Sequence, residues 1–196
     1  GEGVFPQRAE RKLTINGVDV DLTAEQYIQY ATMKGKESQR LLIEMTSSSW
    51  YAALGDAEKA QMISDALAVA RESAKLAVFP EYESKNTAFL KASSLEKDGI
   101  PAGEFLMMYG IAQAQDSSRT VDDEVISDSL GYNKLMALRN SGMLDKYDAE
   151  QQKKILGAVD IGGKLQSMSE ESLAELAADI EEQMNAPSFY SNFPEG

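Results

Sequence analysis

Between Asp56 and Phe79 the chain has no glycine or proline, and Ile63, Ala66, Leu67, Ala70, Ala74 and Ala77 recur at intervals of three and four. That spacing puts them on one face of an α-helix and excludes the period-two alternation of a half-buried strand. Asp56 is expected to cap this helix and Phe79-Pro80 to end it. The many alanines predict close helix–helix approach, because a methyl side chain lets backbones come together.

Other segments carry the same period. Thr23-Ala24-Glu25-Gln26 is a capping box, in which the Thr23 hydroxyl accepts from the Gln26 amide and the Gln26 side chain reaches back. The helix it opens aligns Tyr27, Tyr30, Ala31 and Lys34. Gly35 predicts a break or kink, with a second run from Glu37 to about Ser48 carrying Leu41, Leu42 and Met45. Ser47-Ser48-Ser49 weakens helix propensity, and Trp50-Tyr51 follows as a bulky anchor. A further helix is expected from about Tyr82 to Lys97, ending at Asp98-Gly99. Another follows Pro101 with Phe105, Leu106, Met108, Tyr109, Ile111 and Ala112. Residues 115–129 read as a polar loop. Shorter helices are expected over 130–140 and 148–158, and a strongly amphipathic one over 168–184, opened by a Ser167–Glu170 capping box and carrying Leu173, Leu176, Ala177, Ile180 and Met184. Only Leu13–Val20 alternates apolar and polar. It does so around Asn16-Gly17, the pair favoured in two-residue hairpin turns.

The expected fold is therefore mainly α, an irregular or orthogonal bundle of about six to nine helices with a short N-terminal β-hairpin. The expected organisation is an arm and hairpin over 1–22, a helical subdomain over 23–98, a second over 99–185 and an irregular tail over 186–196. The two helical parts echo one another: Thr23–Ile28 parallels Pro101–Leu106, and Asp56-Ala57-Glu58 with Ile63 parallels Asp148-Ala149-Glu150 with Ile155. Internal duplication is one source of such an echo. Helix starts that resemble each other, with acids first and apolar residues one turn later, are the simpler source.

Composition narrows the chemistry. The chain has no histidine and no cysteine, and its 32 acidic against 19 basic residues give a net charge of −13. The commonest general base, the best protein nucleophile and the usual transition-metal ligands are missing together. An acidic surface repels nucleic acid and anionic membranes at long range, so direct nucleic-acid binding is not expected. The run of roughly 18 apolar residues that a membrane-spanning helix needs occurs nowhere. Gly1-Glu2-Gly3-Val4-Phe5-Pro6 has neither an initiating Met nor a basic-then-apolar leader, which we read as a piece of a longer chain.

The segment Ile15-Asn16-Gly17-Val18-Asp19-Val20-Asp21-Leu22-Thr23-Ala24-Glu25-Gln26-Tyr27, then Gly35, Leu41-Leu42 and Trp50-Tyr51-Ala52-Ala53-Leu54-Gly55-Asp56-Ala57-Glu58-Lys59, runs on into the alanine-rich helix to Lys75. It resembles the helical region near the C-terminus of large polyvalent or internal virion proteins of phages and prophages. The likeness covers residues 13–78 and continues more loosely from Phe105 to Ile155. It implies a phage-derived structural or accessory part, in the virion or the host cytoplasm, and transfers no active-site residue.

The candidate sites read from residues alone are weak. Asp116, Ser118 and Thr120 alternate like the start of a calcium loop, but Val121 stands where the turn needs Gly, and Ser127 where a bidentate Glu belongs. Asp122-Asp123-Glu124 is a weak cation candidate, better read as solvated loop. Glu170-Glu171 and Glu181-Glu182 are adjacent acids that point in different directions on a helix. Ser47-Ser48-Ser49 has no base to activate it, and Gly157–Lys164 lacks phosphate-loop spacing. Trp50, Tyr51, Tyr27 and Tyr30 are a candidate ligand face, but such stripes ordinarily belong to the core. No catalytic, cofactor-binding or metal-binding residue is assigned, and no cofactor is expected.

The function expected is a non-catalytic helical structural or interaction module, part of a larger virion-associated or co-injected protein, with a protein partner. The partner would be the module's own larger polypeptide, a virion component or a host protein. An acidic anti-defence inhibitor that mimics nucleic acid is the alternative, and a carboxylate-dependent enzyme a further one. The stripe over 168–184 needs a cover, which this domain or a partner supplies.

Overall fold

The computed structural model describes residues 11–117 and 124–159, together with Glu175, Ala178 and Glu182, which are helical and exposed. Among these residues the chain forms a two-stranded hairpin, β1 (Lys12–Ile15) and β2 (Val18–Asp21), and six helices. The helices are α1 (Ala24–Thr46), α2 (Asp56–Val78), α3 (Thr87–Glu96), α4 (Ala102–Ser117), α5 (Glu124–Asn140) and α6 (Ala149–Ala158). The mainly α fold with an N-terminal hairpin is as the pattern predicts.

The hairpin is antiparallel, with Leu13 opposite Val20 and Ile15 opposite Val18. Asn16 and Gly17 both take positive φ, 51° and 81°, as a turn matched to the strands' right-handed twist requires. An isolated hairpin is marginal, and this one leans on the helices. Leu13 and Leu22 pack with Tyr27, Tyr30 and Met33 of α1 and with Ala74 and Val78 of α2 in a small second core.

At the start of α1 the Thr23 side chain accepts from the Gln26 amide at 3.1 Å, and the Thr23 amide donates to Gln26 Oε1 at 3.0 Å. The break expected at Gly35 does not occur: α1 runs unbroken through it, so the Glu37–Ser48 run is its second half. One glycine costs a helix about 1 kcal/mol, which the packing of Tyr30, Leu41 and Met45 on either side outweighs. The helix stops at Thr46, just before the three serines. Gln29 donates to the Ala77 carbonyl at 2.7 Å, tying the start of α1 to the end of α2.

Two expectations for α2 need correction. Its N-cap is Gly55; Asp56 is instead the first helical residue, where it and Glu58 favour the helix dipole. The buried positions are Met62, Ala66, Val69, Ala70 and Ala74, with Ile63 and Leu67 only half-buried. The inward stripe is turned because α2 is clasped between α1 on one side and α4 on another.

The third helix begins at Thr87 and not near Tyr82, since the Asn86 side chain caps it by accepting from the Phe89 amide at 2.8 Å. It ends in a Schellman motif. Gly99 takes φ 82°, its amide reaches the Glu96 carbonyl, and the Ile100 amide reaches that of Leu95. The Pro101 carbonyl then accepts from Phe105 at the head of α4.

Helix α4 is the axis of the fold. Phe105, Leu106, Met107, Met108, Ile111 and Ala112 are all buried, and α1, α2, α3 and α5 all pack against it. A helix apolar on every side must be enclosed. Of the polar loop expected over 115–129, residues 115–117 belong instead to α4 and residues 124–129 to α5. An acid heading a helix is favoured by the dipole, so polarity there marks a helix start. Residues 118–123 lie outside the described residues. Gly142, with φ 73°, turns the chain after α5, and Asp148 with Gln151 forms the capping box of α6.

One continuous hydrophobic core runs from Leu41 and Met45 through α2, α3 and α4 to Leu138, Met143, Ile155 and Val159. Among the described residues, the internal echo is not repeated in how the helices pair. The α1 and α2 helices pair extensively, whereas their counterparts α4 and α6 do not, and α6 packs on α3. The arm before Arg11, the 160–164 part of the glycine-rich segment, the capping box at Ser167, and the 186–196 tail lie outside the described residues. So do most of 168–184 and the acids Glu170, Glu171 and Glu181.

Candidate functional site

An apolar groove opens between α3 and α6. It encloses about 460 Å³ and is lined by Leu90, Leu95 and Ala158 together with Lys91, Ser94, Asp98 and Lys154. Leu90 is half exposed, while Leu95 is buried and continues into the main core. The charged groups of the lining are already engaged. Lys154 Nζ lies 3.2 Å from Asp98 Oδ1, and Lys91 Nζ sits 5.7 Å from the centre of the Tyr109 ring. Gln151 of α6 fastens the two walls by donating to the Asp98 carbonyl at 3.1 Å. Nothing in the sequence pattern marked this groove, because it depends on how α3 and α6 meet.

The second polar constellation is where α4 meets the turn before α6. The Tyr147 hydroxyl and Lys146 Nζ both donate to the Glu104 carboxylate. Burial, and then the neighbouring Glu104, push the Tyr147 phenol well above its ordinary range, so it stays protonated and acts as a donor. Close by, the Glu44 carboxylate on α1 packs against Gly103 and lies 3.5 Å from Arg40, which also pairs with Glu37 at 2.8 Å. These groups hold α1, α4 and the α6 turn together.

A third group links α2 to the segment before α3. Burial and a hydrogen bond to Glu72 push the Tyr82 phenol up to about 12, and Lys75 lies over the Tyr82 ring at 5.6 Å. Asp65, further back on α2, has its carboxyl raised to about 6 by burial, opposed by the Gln61 amide that donates to it at 3.1 Å. Its other oxygen is buried and has no hydrogen-bond partner. A carboxyl titrating near neutrality is in the range that suits general acid–base work.

The sequence candidates fall as follows. Asp116 is in α4 and pairs with Lys134 Nζ of α5 at 2.9 Å. Lys134 is only 6% exposed, an unusual depth for a lysine. Ser118, Thr120, Val121, Asp122 and Asp123 lie outside the described residues. Glu124 and Ser127 fall within α5, so the calcium-loop frame does not close as one loop. The buried lysine was missed, although Gly131, Lys134, Leu135 and Leu138 share one helical stripe and all are buried. Among the described residues, no three acids are grouped so as to share a metal ion.

The four aromatics do not form one face. Trp50 and Tyr51 pack on the main core, Tyr27 and Tyr30 on the second. Ser48 donates to the Met45 carbonyl at the end of α1. Gly157 and Ala158 simply end α6. No helix among the described residues is long and apolar enough to cross a membrane.

Comparison with family models, with curated proteins and with solved structures finds no match to this chain.

Proposed function

We propose that this chain is a non-catalytic helical structural or interaction module of phage origin, part of a larger virion-associated or co-injected protein. It works by binding a protein partner through its helical faces, in the virion or in the host cytoplasm. One observation carries the reading: the charged side chains described above, at the groove and elsewhere, are engaged in holding helices together. Tyr147 and Lys146 are engaged with Glu104, and Lys134 with Asp116. The groove between α3 and α6 offers mainly apolar surface. The resemblance over residues 13–78 supplies the phage setting.

The nucleic-acid mimic is the weaker reading. A mimic concentrates acids on one face, whereas here Arg40, Lys75, Lys146 and Lys154 are interleaved with Glu37, Glu72, Glu104 and Asp98. The test places a photo-crosslinking amino acid at Leu90, or at exposed Ile28 as control, in cells producing the parent phage. A covalent adduct to one defined phage or host protein from position 90 and not from 28 supports the module. Equal labelling from both positions overturns the groove as the binding face. Turnover in a hydrolase and nuclease screen, lost on replacing Glu104 or Asp65, overturns the non-catalytic reading.

A further inference from the structure

We draw no further inference here: the strongest candidate, the apolar groove between α3 and α6 bounded by Leu90, Leu95 and Ala158, belongs to the site already described, and nothing in the structure shows what covers it.

Discussion

Gly110 of α4 lies so close to Met62 of α2 that a Cβ built on the glycine would stand 2.9 Å from the Met62 Cα. The obstacle is backbone, which cannot rotate aside as the end of a side chain can. Gly110→Ala is therefore expected to force the two helices apart and to cost about 1–3 kcal/mol, the usual range for overpacking a core. Urea denaturation checks this; an unchanged midpoint would show that the helices separate freely.

Gly35 is the opposite case. It is exposed in the interior of α1, and a Cβ there meets nothing within 4 Å. Gly35→Ala should stabilise the protein by about 0.5–1 kcal/mol through helix propensity and a less flexible unfolded chain. The pair of variants, measured side by side, separates tertiary from local roles of glycine.

Asp65 gives a pH dependence of known sign. Its folded value of about 6 exceeds the ordinary 3.8, so the folded state binds this proton more tightly than the unfolded state. Its contribution is full below about pH 4 and is lost as pH rises through 6. Asp65→Asn should therefore stabilise the protein at pH 7, by on the order of 1 kcal/mol once screening of a partly exposed carboxylate is allowed for. At pH 3.5 the gain should vanish. Thermal melts of both proteins across pH 3.5–8 test this, and a gain independent of pH would contradict it.

The pair Lys134 and Asp116 predicts an asymmetry. Asp116→Asn takes one carboxylate away from a nearly buried lysine and should cost about 1–3 kcal/mol, whereas Lys134→Met removes the charge and keeps much of the volume, and should cost less. Denaturation midpoints in the reverse order would show that Lys134 draws its stability from elsewhere.

Trp50 is the single tryptophan and packs half-buried on the main core beside Tyr51 and Leu54. Its emission should be blue-shifted in the native protein relative to the unfolded chain, and iodide should quench it only in part. Full quenching before denaturation would place the indole in solvent.

Much of the local structure was legible from residues a few positions apart. The Thr23–Gln26 box, the Asn16-Gly17 turn, the glycine stop at Gly99 and the start of α6 at Asp148 each rest on backbone hydrogen bonds closed within one turn. Such signals depend on the neighbours' side chains and on φ alone, so a reader of the sequence has all the relevant atoms. The candidate site was not legible in the same way. The groove's Leu90 and Ala158 are distant in sequence and ordinary in pattern.

What the sequence determined by itself was helix over strand, the hairpin, and the caps of α1 and α6, because period and capping are local. Tertiary structure decided the rest. It carried α1 through Gly35, turned the buried face of α2 onto Met62 and Val69, and drew Lys134 inward to Asp116. Each of these is settled by which helix lies alongside, and that contact energy comes from residues far away in the chain.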